Sequence, residues 1–448
     1  MTAVLTRSTF RHGIHPPEEK DATNHLAIRR FPFAPVLIVP LNQHLGKPAV
    51  PIVREGEEVV RGQTIAEADG FMSVAMHAPA SGTVRRIMLA PSVGGVMVES
   101  IYIEPLPAAS QEVDDGEPCD VESATPEEIV TAIQKAGIVG LGGAAFPTHV
   151  KLRPPEGKEV DTLLINGVEC EPYLTTDHRV MLEQTEDVFL GIRYLLKATG
   201  APRAIIAVEG NKRDAVQKLE RALPEDLPIS VEVCPVKYPQ GAEKMVIKAL
   251  LDREVPSGGL PIDIGAICVN VATTAEIGRL LPLGRGIQER VITIGGPGIR
   301  HKGNYRIPIG TTVRFALETT GVTGDLSRVF LGGPMMGAAV SNLDVPITKG
   351  TSGITAFTTA ETNESTGHRE IYPCIKCARC VEACPLYLNP SQLGLLAKNE
   401  LYQEMKDDFH LMDCFECGSC TYVCPAHIPL VQYFRLAKKM VRKLEAAN

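Results

Sequence analysis

Eight of the twelve cysteines fall near the C-terminus, and their spacing is the strongest chemical signal in the chain. Cys374, Cys377, Cys380 and Cys384 follow C-x2-C-x2-C-x3-C and are followed by Pro385; Cys414, Cys417, Cys420 and Cys424 repeat the run before Pro425. Three thiolates on one tight loop can clasp three irons of a cubane, and a fourth, one short helical turn later, reaches a second centre. The proline stops that turn from continuing, since it has no N–H to give. Two zinc sites would take ligands in pairs and leave the third step of each run without a role. Cys119, Cys170, Cys234 and Cys268 are isolated and read as structural thiols.

The run resembles that of bacterial two-cluster ferredoxins and predicts two [4Fe–4S] clusters with crossed ligation. One takes Cys374, Cys377, Cys380 and Cys424; the other takes Cys414, Cys417, Cys420 and Cys384. Paired cubanes move single electrons, so a source and a sink are required. Clustered cysteines in a chain without a secretory signal also imply a reducing compartment.

A source is suggested by GIVGLGGAAFPTHVKL, Gly137 to Leu152, where Gly140, Gly142 and Gly143 permit close backbone approach to a phosphate or a planar ring. The loop resembles the flavin loop of the FMN-bearing, NADH-oxidising subunit of respiratory complex I. Three further segments match that family in order: Asn166 to Pro172 (NGVECEP), Tyr238 to Glu243 (YPQGAE) and Asn270 to Thr273 (NVAT). The resemblance implies non-covalent FMN, with Gly140, Gly142, Gly143 and Lys151 at its phosphate and ribityl region and Asn166, Asn270 and Thr273 bonding the flavin or phosphate. It also implies Glu169, Tyr238 and Gly241 in the cofactor site, Phe146 against the nicotinamide, and Glu171 and Glu243 lining the site of NADH, the substrate. Val168 and Ala242 stand where that family carries acids.

The elements that must position these residues follow from pattern. Residues 32–105 read as short strands between Gly and Pro turns. Val53 to Val84 resembles a biotinyl/lipoyl-type barrel-sandwich hybrid, but no lysine lies between Gly62 and Val84 to carry a swinging cofactor. Thr125, Pro126 and Glu128 announce a helix start. From there strands (TLLING, AIIAVEG, ISVEVCPV, AICVNVA) alternate with helical runs (DHRVMLEQTEDVFLGIRYLLKA, NKRDAVQKLERAL, GAEKMVIKALL), which predicts a Rossmann-like α/β layer domain. The echo of ITIGGPG at Ile292 and VFLGGPM at Val329 suggests a small β-grasp-like (SLBB) module.

The expected organisation is multidomain α/β: a barrel-sandwich hybrid over 30–105, a linker over 106–124, an FMN/NADH α/β domain over 125–290 and the SLBB-like module over 291–345. A Thr/Ser/Gly-rich linker over 346–368 and a dicluster ferredoxin domain over 369–448 complete it. One helix is expected from about Ser391 to Lys406, and a basic amphipathic helix from about Leu430 to Leu444. Arg435, Lys438, Lys439, Arg442 and Lys443 on that last helix suit either a solvated face or an anionic lipid or acidic partner.

The 448 residues carry a net charge of −8, which argues against a nucleic-acid partner. No apolar run is long enough to span a membrane. The single histidines, His12 and His15 in a Pro-rich tail among them, read as hydrogen-bonded structural residues.

The domain order, with FRHGIHPPEEK, PLNQHLG and HAPASG near the N-terminus, is similar to that of the RnfC family, a component of the Rnf electron-transport complex. This implies a peripheral subunit on the cytoplasmic side of the bacterial inner membrane. It would pass electrons from NADH through FMN and two clusters to membrane and iron–sulfur subunits that couple NADH:ferredoxin electron transfer to Na⁺ or H⁺ movement. Ferredoxin or flavodoxin is then an indirect partner. A soluble flavin/iron–sulfur reductase of the cobalamin-reductase type has similar modules in another order, and a non-catalytic adaptor would not need Lys151, Asn166 and Asn270 together.

Overall fold

In the computed structural model, which describes residues 9–361 and 370–447, the four strands that position the glycine loop pair in parallel. Their order is Ile229–Cys234, Ala204–Glu209, Thr162–Gly167, Ala266–Asn270. Alternate side chains face opposite layers. Leu163, Ile165, Ile206, Val208 and Val269 pack under the helices Pro126–Lys135, Thr185–Thr199 and Val271–Leu280. Leu164, Ile205, Ala207 and Cys268 pack against Glu243–Leu251 on the other face. A sheet covered on both faces explains why these strands read as nearly continuous apolar runs.

The first helix starts where the capping box requires: Thr125 N–H donates to Glu128 Oε2 at 2.7 Å and Glu128 N–H to Thr125 Oγ1 at 3.3 Å. The run expected as one helix from Asp177 is two, Thr176–Glu183 and Thr185–Thr199, broken at Gln184. Thr185–Thr199 crosses Val271–Leu280 at Gly191 and Gly278, where an added Cβ would sit 1.9 Å from Thr274 O and 2.0 Å from Asp187 O. Gly278→Ala therefore forces the two helices apart and is expected to cost about 1–3 kcal/mol. Denaturant melts check this, and an unchanged midpoint would show that the crossing tolerates separation.

The N-terminal all-β part contains two small antiparallel sheets closed over Val39, Ile65, Met76, Val84, Ile101 and Ile103. Its long hairpin, Gly82–Pro91 with Met97–Pro105, reaches out toward the α/β domain. Ile28–Arg30 does not join this barrel; it pairs with Gly303–Pro308 in a separate six-stranded sheet.

That sheet corrects the expected boundaries. The antiparallel hairpin Glu289–Gly295 and Gly303–Pro308 is followed by the helix Val313–Thr320 and the strand Leu326–Leu331. Gly353–Thr358, expected to be linker, is an internal strand, parallel to Glu289–Gly295 and antiparallel to Leu326–Leu331. Its Gly, Thr and Ser neighbours suggested a loop, but Ile354 and Ala356 are fully buried, and the partners that bury them are distant in sequence. Residues 362–368 of that linker lie outside the described residues. Residues 106–124 hold no strand or helix and are tied down by Gly116 N–H to Leu283 O and Cys119 N–H to Leu281 O.

In the C-terminal part the helix expected over Ser391 to Lys406 is two, Pro390–Lys398 and Tyr402–Asp407, divided at Glu400 with φ +57. Leu430–Ala447 packs over them through Phe434, Ala437 and Val441. Two of its cations turn inward: Arg435 and Lys438 both pair with Glu416 at 3.1 Å, and Lys438 also donates to Cys414 O. The helix is thus bound to the second cysteine loop and is not a uniformly free basic face. Among the described residues no helix is long and apolar enough to cross a membrane.

Candidate functional site

The strand order runs outward in opposite directions from Thr162–Gly167 and Ala266–Asn270, so the carboxyl ends of these two strands form the switch point where open α/β sheets bind ligands. A cavity of about 750 Å³ opens there. All thirteen residues expected from sequence at the flavin and nucleotide line it: Gly140, Gly142, Gly143, Phe146, Lys151, Asn166, Glu169, Glu171, Tyr238, Gly241, Glu243, Asn270 and Thr273.

The glycine loop is held from behind. Gly140 N–H donates to Phe146 O at 2.8 Å, and Leu141 N–H to Thr273 Oγ1 at 2.9 Å. Asn270 caps Val271–Leu280, accepting from Ala272 N–H at 3.0 Å and Thr273 N–H at 3.2 Å. The N–H groups of Gly142, Gly143 and Ala144 make no hydrogen bond among the described residues and are exposed at the cavity. A Cβ on Gly142 would press Asn270 at 3.3 Å, and Gly143, at φ +114, has open space before it. Successive free amides beside a capped helix N-terminus form an anion cradle. The residues present fit a phosphate-bearing flavin.

Several expected residues are engaged with the protein itself. Lys151 Nζ lies 2.6 Å from Glu243 Oε1 and donates to Cys268 O at 2.8 Å. Burial opposes its charge most strongly, but Glu243 and Cys268 together outweigh it and the ammonium is held more firmly protonated than usual. Asn166 donates to Gly241 O at 2.9 Å and accepts from Val168 N–H at 3.1 Å, so it joins two cavity loops. Asn166, Asn270 and Thr273, expected to touch the flavin, spend these polar atoms bracing the cavity wall. Glu171 accepts from Met336 N–H at 2.6 Å and Met335 N–H at 3.3 Å, joining the α/β domain to the six-stranded sheet's loop. Burial pushes its carboxyl up to about 7 against those donors.

Part of the wall carries no local sequence signal. Pro91, Ser92, Val93 and Val98 come from the barrel hairpin, and Thr348, Gly350, Thr351 and Ser352 from the segment read as linker. Asp177 also lines the cavity. Its only sequence signal was an acid in the first turn of a helix, where acids are common anyway.

The two cysteine loops are built alike. Lys376 and Ala378 in one, and Glu416 and Gly418 in the other, hold positive φ at equal positions, coiling each loop so that its thiols turn inward. A cavity of about 300 Å³ is lined by Cys374, Cys377, Cys380 and Cys424, the first crossed set. In the second, Cys384 lies close enough to Cys414 and Cys420 to push their thiols up, after burial itself. Among the described residues no group of three or more His, Cys, Asp or Glu is arranged to hold a single metal ion. The thiols of the first set ring a space, as a multi-iron cluster needs. Cys384→Ser is therefore expected to disturb the cluster of Cys414, Cys417 and Cys420 more than that of its own loop; paramagnetic resonance showing the reverse would refute crossing.

The second cradle adjoins the large cavity. Tyr238 Oη donates to Cys417 O at 2.6 Å, and Phe415 lines the cavity wall. Cys417 is buried with Tyr238, Ile14 and Ala383, whereas Cys377 of the first cradle is exposed. Ile14 belongs to a segment expected to be a tail; it is instead a seam. Ile14 pairs with Tyr238, Gly13 N–H donates to Ala383 O at 3.3 Å, and Lys20 Nζ donates to Glu171 O and Leu174 O. Buried Phe10, Ile14 and Lys20 supply the reason. His12 bonds Glu382 O there, and His44, His149 and His178 bond Lys47 O, Phe71 O and Asp214, as structural histidines do.

Three sequence families match the chain: an RnfC barrel sandwich hybrid domain over 8–106, a Nuo51 FMN-binding domain over 133–279 and a 4Fe-4S dicluster domain over 370–428. Among similar proteins, the C subunit of the proton-translocating ferredoxin:NAD(+) oxidoreductase complex of Clostridium ljungdahlii is 43% identical, covering 96% of this chain and 93% of that one. The Na(+)-translocating counterpart of Acetobacterium woodii is 39% identical over 98% of each. A chain of an NAD+-reducing [NiFe]-hydrogenase shares the fold at a TM-score of 0.51 and 18% identity, covering 71% of this chain and 63% of that one.

Proposed function

The chain belongs to the family of C subunits of ion-translocating ferredoxin:NAD(+) oxidoreductase complexes, and on that premise we propose that it oxidises NADH and delivers the electrons through two [4Fe–4S] clusters to the other subunits of such a complex. FMN, when bound, supplies the chemistry that accepts a hydride's two electrons and releases them singly. This chain's residues do the positioning. The amides of Gly142, Gly143 and Ala144, with Lys151, hold the phosphate; Phe146 flanks the nicotinamide; Glu171 and Glu243 line the nucleotide side. Asn166, Asn270 and Thr273 keep the wall rigid, and the barrel hairpin limits water at the mouth.

The observation that carries this reading is the junction of Tyr238 and Cys417, where the wall of the cavity and a cluster cradle share a hydrogen bond. We assign the six-stranded sheet's hairpin, helix and returning parallel strand to an SLBB-like β-grasp module. The subunit sits peripherally on the cytoplasmic side of the membrane. Purified chain, assembled with its clusters under anaerobic conditions, is expected to contain FMN and two cubanes and to oxidise NADH with an artificial acceptor. It should pass electrons to ferredoxin only with its membrane partners present. Protein that holds clusters but neither binds FMN nor oxidises NADH would overturn the reading.

A further inference from the structure

Asp177 faces the large cavity from the first turn of Thr176–Glu183, and none of the expected roles uses it. Its backbone N–H donates to Glu169 Oε1 at 2.9 Å, which pins the start of its helix. One carboxylate oxygen, Oδ2, accepts from Asn270 Nδ2 at 2.8 Å. The same Asn270 caps Val271–Leu280 and backs Gly142, so Asp177 stands one hydrogen bond behind the glycine loop. The other oxygen makes no hydrogen bond among the described residues and is not sealed off.

We propose that Asp177 is a positioning residue that sets the redox potential of the flavin bound in this cavity, through its grip on Asn270 and through the charge of its carboxyl. The inference rests on the functional reading above. A hydride brings two electrons into the cavity, and any fixed negative charge on the wall disfavours that gain, all the more in a site shielded from water. The groups facing Asp177 make its charge conditional. Burial and the Glu169 carboxylate favour the protonated form, while Asn270, Arg290 and Lys212 favour the ionised form; the balance holds the proton well above the ordinary carboxylate range. The Lys151–Glu243 pair lies on the same cavity's wall and is internally neutralised.

The sign follows. With Asp177 protonated, the wall carries no added charge and the native flavin is easiest to reduce. As pH rises and Asp177 ionises, the flavin becomes harder to reduce. Asp177→Asn keeps an acceptor for Asn270 and removes the titration. Redox titration of the full chain, followed by flavin fluorescence, is expected to give equal midpoints for native and variant near pH 6. Near pH 8.5 the variant's midpoint should be higher, so its curve against pH is shallower. Asp177→Glu, which keeps a carboxyl, should retain the steeper native curve. Parallel native and Asp177→Asn curves would overturn the proposal, as would a shallow curve for Asp177→Glu. Stability gives a second measurement that needs no flavin. An acid whose proton is held more tightly in the folded state costs stability above its unfolded value, about pH 4, and the full cost is present once the folded group has ionised. Asp177→Asn should therefore raise the melting temperature more at pH 8.5 than at pH 4, and an equal change at both would count against the titration. Native chain that carries no FMN would fail the functional reading instead.

Discussion

Cys417→Ser abolishes electron delivery to the membrane partners while leaving NADH oxidation by an artificial acceptor intact: this is the expected result, and its size is the whole of the physiological activity. Cys417 is buried beside Tyr238, which lines the cavity, and what ties it there is its backbone carbonyl, bonded to Tyr238 Oη, not its thiol. Serine keeps that carbonyl and removes a ligand. The cavity residues on the far side of Tyr238, from the glycine loop to Asn270, rely on contacts of their own and stay in place. Cys377→Ser acts at the opposite end, in the cradle whose ligand is exposed, and should show the same split. The common outcome places both cradles downstream of the cavity. On the proposed function, the buried cradle is expected to receive electrons and the exposed one to hand them on. Ferricyanide reduction, delivery to ferredoxin and bound FMN should be measured on the same preparations. A cluster variant that loses ferricyanide activity with normal FMN content would make the clusters the entry point and reverse the direction of flow.

Lys151→Ala is expected to lose most of its FMN. The lysine is the cation on the cavity wall nearest the free amides in sequence, and a charge-assisted contact of this kind contributes about 1.5–3 kcal/mol. That is roughly a 10- to 150-fold weaker hold on the cofactor. The pairing with Glu243 adds a discriminating control. If Lys151 serves the phosphate, binding the cofactor competes with the carboxylate, and Glu243→Ala should keep FMN or hold it more tightly while raising KM for NADH. If the lysine serves only to neutralise Glu243, removing either partner should leave FMN occupancy untouched. Acid-released FMN per chain, read fluorimetrically for both variants, separates the two. Full occupancy in Lys151→Ala would show the phosphate assignment to be wrong.

The sequence by itself determined what depends on short spacing. Two C-x2-C-x2-C-x3-C-P runs dictate which thiols share a loop, and crossed ligation is the expectation they carry, because a three-residue step takes the fourth thiol off that loop. Thr125, Pro126 and Glu128 specify a helix start through bonds that span three residues. The strands Thr162–Gly167 and Ala266–Asn270 were legible because a sheet buried on both faces writes itself as an apolar run. The flavin-loop residues were legible as a set, from ordered resemblance, and the fold brings that set around one cavity.

Only the tertiary structure decided how those residues are used. Lys151 meets Glu243, and Asn270 meets Asp177, across 92 and 93 residues, so no local pattern marks either pair. Gly353–Thr358 is a strand because Glu289–Gly295 and Leu326–Leu331 leave a slot for it, not because its own residues demand one. Phe10 to Lys20, proline-rich and locally shapeless, becomes the seam between the α/β domain and the cysteine loops through what it touches. The physical reason is the same throughout. Caps, turns and ligand loops close over a few residues and are specified there, whereas a buried charge, a returning strand or a shared wall acquires its role from groups that meet only once the chain has folded.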